Sequence, residues 1–182
     1  MVASVRPANR TSSTAYQQNH LTLNMSLNTP QLPALGILAN LDPDDVKDFA
    51  SYGAFKSVDE GTVIIEQGQS HGKLFMIISG LLEARRTDQG EDILLGQLQA
   101  GEWMGEVDLF DPLEAVCSVL AIEESQYWAI TRENLEEFIN NHPASGILLL
   151  IGLATTLSRR IRDVTSKFVE QTELNKNPRI SL

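Results

Sequence analysis

Leu74-Phe75-Met76-Ile77-Ile78-Ser79-Gly80-Leu81-Leu82-Glu83-Ala84-Arg85-Arg86 decides the architecture. Two short apolar runs meet at a single glycine, and neither is long enough for a buried helix. They read as strands 74–78 and 81–86 joined by a tight turn. The same grammar extends both ways from this pair. Upstream lie Phe55–Val58 and Thr62–Glu66; downstream lie Ile93–Leu98, Ala115–Ile122 and Gln126–Thr131. Gly61, Gly68, Gly72, Gly90 and Gly101 punctuate them. Short strands without helices between them predict an all-β sandwich or barrel, not a parallel sheet. Neither a GxGxxG fingerprint nor a GxxxxGK[ST] loop occurs, which argues against a Rossmann or P-loop enzyme.

The flanks are helical. Asp42 before Pro43, with Asp44 and Asp45 following, is a helix start, and Val46, Phe49 and Ala50 give it an apolar face up to Gly53. Thr131 is placed to cap a helix through Leu135 and Phe138 that breaks near Asn140-Asn141-His142. Pro143 then opens a long helix to about Glu170. Along it Ile147, Leu150, Ala154, Leu157, Ile161, Val164 and Phe168 recur at alternating steps of three and four. This spacing is a heptad seam, and it predicts a homodimer. The opposing expectation is that the same face covers the chain's own sheet. Gly146, Gly152, Thr155 and Thr156 lower helix propensity, so packing must hold the first half together.

Composition sets the outer bounds. The 182 residues carry 14 basic and 24 acidic side chains, a net charge of −10. Residues 1–30 hold no acid and fourteen Ser, Thr, Asn or Gln, which predicts a flexible tail. A domain is expected over 31–170, more acidic than the whole, with a second flexible tail over 171–182. Such a balance opposes a nucleic-acid backbone. One cysteine, Cys117, builds no disulfide and reads as a small buried side chain, not a redox sensor. The longest mostly apolar run, Ile147–Ala154, falls far short of the roughly 20 residues of a bilayer span. No secretory leader pattern opens the chain, so the expected compartment is the cytoplasm. His20, His71 and His142 are dispersed, with no H-x-H pair, so no metal or cofactor is expected. No Ser–His–acid set marks a nucleophile, and catalysis is not expected.

The ordered series Gly61 to Gly68, Leu74 to Gly80, and Leu95-Gly96-Gln97-Leu98-Gln99-Ala100-Gly101-Glu102-Trp103-Met104-Gly105-Glu106-Val107-Asp108-Leu109-Phe110 resembles the cyclic-nucleotide-binding domain. That family is the sensory jelly roll of catabolite-activator-type regulators, kinase regulatory subunits and cyclic-nucleotide-gated channels. The resemblance covers roughly residues 37–170. It implies a mainly β fold, a double-stranded β-helix or jelly roll flanked by N-terminal helices and a long C-terminal helix. It also implies a phosphate-binding cassette, a short helix whose free amides face an anion. Glu106 would accept from the ribose hydroxyl, with Gly105 and the amides near Val107 approaching the sugar-phosphate.

The family arginine that pairs with the cyclic phosphate falls on Ala115, followed by Val116, Cys117 and Ser118. Losing such a contact costs about 2–5 kcal/mol, roughly 30- to 4,000-fold in affinity. Asp108, Asp111 and Glu114 add negative charge beside the cassette. Arg85 and Arg86 are the candidate substitutes, against a plainer reading as solvated strand-end charges. Ser118 is a candidate donor to a ligand or a structural hydroxyl. Trp103 and Phe110 read as core. The regulator branch carries a helix-turn-helix after its long helix, for which the twelve residues after Glu170 are too few, so DNA is not an expected partner.

The sequence reading is therefore a non-enzymatic regulatory or adaptor module with a degenerate phosphate site. A homodimer is expected, with a further protein partner and a small-molecule ligand left open, and with neither nucleic acid nor membrane. A genuine cyclic AMP or GMP receptor and a purely structural oligomerisation module are the alternatives.

Overall fold

The computed structural model describes residues 30–176. After a 3-10 turn at Gly36–Leu38 comes α1 (Pro43–Ser51). Eight strands follow: β1 (Ala54–Val58), β2 (Val63–Ile65), β3 (Lys73–Ser79), β4 (Leu81–Asp88), β5 (Glu91–Gln99), β6 (Trp103–Met104), β7 (Ser118–Ala121) and β8 (Ser125–Thr131). A short α2 (Glu106–Phe110) interrupts them between β6 and β7. α3 (Arg132–Asn141) and α4 (Pro143–Lys176) close the described region. The tail expected over 1–30 lies outside the described residues except for its last.

The strands form two antiparallel four-stranded sheets, ordered β1-β8-β3-β6 and β2-β7-β4-β5. This is the expected jelly roll with helices at both ends. Alternation along β3 explains the layers. Phe75 and Ile77 join Leu82, Met104, Val119, Ala121 and Tyr127 in the core between the sheets. Leu74 and Met76 face the other way, into a second core with Phe49, Trp128, Ile130, Leu135, Phe138, Leu149 and Leu153. There Phe49 packs against both Trp128 and Phe138, with ring centroids 4.8 and 4.7 Å apart. The Trp128 indole donates to the Ala50 carbonyl at 3.0 Å. The sheet one face of which lines the roll is thus sealed on the other by helices.

Three sequence expectations change. Ala115–Cys117 is not strand, because Ala115 instead closes a loop, its N–H donating to Gln69 O and its carbonyl accepting from Gly68 N. Asp42 stands before α1 but its side chain makes no capping bond, whereas Thr131 Oγ1 does accept from Asn134 N at 3.3 Å. Finally, α4 runs 34 residues, about 50 Å at 1.5 Å per residue. By length and composition alone α4 suffices to cross a membrane. Its first half packs on the domain: Leu149 and Leu153 are sealed in the core, and Gly152 lies against Ile37 so closely that a Cβ would meet Ile37 Cα at 3.0 Å. The propensity-lowering glycine is therefore what lets the helix approach.

Candidate functional site

Gly105 opens the cassette in the left-handed region, at φ +87°. Two constraints demand glycine there: the backbone angle, and a Cβ that would stand 2.4 Å from the Lys73 carbonyl oxygen. The chain then turns into α2, whose first residue, Glu106, is only 5% exposed. A carboxylate this buried requires a partner. It comes from α4: Arg160 Nη1 bonds Glu106 Oε1, and Nη2 bonds the Trp103 carbonyl. One guanidinium thus ties the C-terminal helix to both sides of the Gly105 turn. The second oxygen, Glu106 Oε2, is buried without a partner among the described residues.

Asp108 is engaged by the loop before β3. Its carboxylate accepts from Ser70 Oγ at 2.9 Å, from the His71 amide at 2.8 Å and from the Gly72 amide. Burial pushes its pKa up, but these three donors together outweigh that and hold it below the usual carboxylate range. Asp108 is therefore a latch pinning α2 to the β2–β3 loop. His71 shares the latch, with Nδ1 3.4 Å from Asp108, and burial keeps its pKa low despite that charge. Asp111 and Glu114 are exposed.

The two candidate arginines part company. Arg85 Nε donates to Glu83 Oε2 at 2.8 Å and Nη1 to Asp92 Oδ2 at 2.7 Å. Hydrogen bonding from Arg85, then from Gln97, holds the Glu83 pKa low, so that arginine is already committed. Arg86 instead reaches the Val116 carbonyl at 3.2 Å and is in no ion pair among the described residues. Ser118 Oγ accepts from the Gln67 amide at 2.9 Å, a bond from β7 to the turn after β2. Cys117 is half-buried, and burial raises its thiol pKa. Trp103 is core, whereas Phe110 is 45% exposed, contrary to its reading as core, because α2 lifts it off the sheet. Val107, Leu113 and Val116 are exposed beside it.

Along α4 the heptad stripe lies mostly in the open. Ile147, Leu150, Ala154, Ile161, Val164 and Phe168 are exposed, and Leu157 is half-buried. The chain's own domain takes a different face, through Leu149, Leu153 and Arg160. Spacing signalled the stripe; nothing local signalled the Arg160 tie, which joins residues 54 apart. Sequence also missed a polar junction where Asp45, Asp48 and His142 bring donor atoms within 4.8 Å of one another. Asp45 there already accepts from Ser145, and His142 stacks on Phe138.

Residues 55–142 match the family described as the cyclic nucleotide-binding domain. The Cyclic AMP receptor protein of Thermus thermophilus is 32% identical over 124 residues, which is 68% of this chain and 56% of that protein. The Thermus thermophilus Catabolite Activator Protein structure superposes with a TM-score of 0.68 at 28% identity, over 75% of this chain and 63% of that one. This is a cyclic-nucleotide-binding-domain fold. A cyclic nucleotide-binding domain from Methylobacillus flagellatus shares the same fold at 19% identity, with a TM-score of 0.68 over 72% of this chain and 74% of that one. The chain spans little more than half the length of the curated receptor it matches. These relatives are named for receptor, activator and binding roles, in agreement with the non-enzymatic reading of the domain. Within that fold, β6, Gly105 and α2 occupy the stretch that the sequence resemblance assigned to the cassette.

Proposed function

We propose that this chain is a non-enzymatic cytosolic regulatory module with a degenerate phosphate site, acting as a homodimer. The observation that carries this reading is the Arg160 tie to Glu106 and the Trp103 carbonyl. The carboxylate that would take a ribose hydroxyl is held by a cation on the C-terminal helix. Anything that engages Glu106 therefore changes the restraint on α4, provided it binds the two helix arrangements with different affinity. The degenerate phosphate site is supported by Ala115 at the arginine position and by the commitment of Arg85 to Glu83 and Asp92. One observation favours the second reading, a genuine cyclic nucleotide receptor: Arg86, in no ion pair among the described residues, lies beside Val116.

Calorimetric titration with cyclic AMP, cyclic GMP and cyclic di-GMP separates the two. The degenerate site gives no saturable heat at micromolar ligand. Micromolar binding abolished by both Glu106→Ala and Arg86→Ala establishes the receptor instead.

The homodimer is supported by the open apolar stripe on α4, which a second copy would cover and its own β-roll leaves bare. Ile161 is 66% exposed, so Ile161→Glu costs the isolated chain little but puts a charge at the centre of the seam. In sedimentation equilibrium at micromolar concentration, wild type is expected at twice the chain mass and Ile161→Glu at the chain mass. Equal masses for the two proteins would remove the dimer from the reading. A stable dimer whose α4 ignores every change at Glu106 would leave only the structural oligomerisation module.

A further inference from the structure

A concavity away from the cassette has only positive charge among its lining side chains. A groove of about 300 Å³ opens at the rim of the roll, where β1 and β3 begin and β8 ends. Lys56 and Lys73 line it, and no Asp or Glu does. On a chain with ten more acidic than basic residues that is an unusual balance. Neither lysine is in an ion pair among the described residues. Strand pairing puts both on one sheet face, offset along β8: Lys56 lies opposite Tyr127 and Lys73 opposite Thr131, with Phe75 opposite Ala129 between them. Both ammonium groups thus rise from the sheet face that carries the aromatic rings.

The remaining walls complete the chemistry. Phe75, Tyr127, Ala54 and Ala129 supply an apolar floor. Asn134 and Thr131 form a fixed polar wall, since Asn134 Nδ2 donates to Tyr52 O at 2.7 Å and Thr131 Oγ1 accepts from the Asn134 amide. Each keeps hydrogen-bonding capacity beyond these contacts, but neither carries charge, so charge recognition falls to the two lysines. A concave site with low-dielectric walls and two like charges focuses a positive potential on a small volume. Sites of this size take small molecules, with apolar walls for the body and a few polar groups for orientation.

We propose that this groove binds a small organic anion, a carboxylate or phosphate carried on a flat apolar body. The anion would lie between Lys56 and Lys73, with its apolar body over Ala54, Ala129 and the small part of Phe75 and Tyr127 that the groove exposes. None of the cassette residues 105–110 lines the groove, so this site stands whether or not the cassette binds a nucleotide. β3 links the two, because the Lys73 carbonyl and the Phe75 ring are the atoms that a Cβ at Gly105 would strike.

The test is an amide-resolved NMR titration of the full chain with phenyl phosphate, benzoate and inorganic phosphate. Phenyl phosphate and benzoate should give saturable shifts centred on residues 52–56, 73–75 and 127–134. The Lys56→Glu/Lys73→Glu double variant should weaken both at least about tenfold, equivalent to about 1.4 kcal/mol. Lys56→Met/Lys73→Met, which keeps the aliphatic stems, should do the same. Absence of saturable shifts, shifts confined to the cassette, or unchanged affinity in both lysine variants would overturn the site. Inorganic phosphate binding as tightly as phenyl phosphate would overturn the organic anion as its ligand.

Discussion

Asp108→Ala should lower stability by about 3 kcal/mol, seen as a fall of about 10 °C in the thermal midpoint. The substitution deletes the acceptor of three hydrogen bonds at a residue 4% exposed, and strands the His71 and Gly72 amides. An orphaned buried donor costs about 1–3 kcal/mol, which is why the loss exceeds that of an ordinary surface carboxylate. The pH dependence has a definite sign. The folded-state pKa is depressed, so the contribution is complete above the unfolded value, near about 3.9, and disappears as pH falls through the lower folded value. The gap between wild type and Asp108→Asn should therefore be constant around neutrality and shrink in acid. A thermal midpoint unmoved by Asp108→Ala would remove the latch from the account of the cassette.

Arg160→Met should cost about 2 kcal/mol and loosen α4 selectively. Breaking a buried pair from one side leaves the other charge uncompensated, which typically costs 3–5 kcal/mol. Arg160 is 35% exposed on its side chain, so solvent recovers part of that and the smaller figure applies. Glu106 is what suffers: with Oε2 already unpartnered among the described residues, removing Arg160 leaves both oxygens buried and unmatched by a cation. Adding Glu106→Gln should then restore most of the lost stability, because the amide carries no charge to desolvate. Hydrogen exchange provides a readout that mere packing loss would not. Protection should fall along α4 past Leu153 in Arg160→Met while β3 and β8 keep theirs. If the single and double variants melt together, charge compensation is not what Arg160 supplies.

Much of the roll could be read without coordinates. The short apolar run Leu74–Ile78 and the turn glycine Gly80 are properties of neighbours in the chain. So are the heptad stripe from Ile147 to Phe168 and the cap at Thr131. Each depends on a repeat of two or of three to four residues, or on one backbone angle, and such signals survive in one dimension. β6 was missed because two residues are too short to display a period, and it exists only by pairing with Phe75 and Met76. Phe110 was misread because its exposure depends on how α2 sits against the sheet.

The cassette divides along the same line. That a glycine precedes Glu106 and that Ala115 lies ten residues after it are facts of the sequence. Which charge answers Glu106, which acid binds the β2–β3 loop, and which arginine is in no ion pair among the described residues depend on contacts tens of residues apart. The groove of Lys56 and Lys73 belongs to this second group, since neither lysine carries a local pattern and only β8 brings their strands together. Local sterics and periodicity set the elements. Desolvation of Glu106 and Asp108, which no short window of sequence can balance, decided the partners.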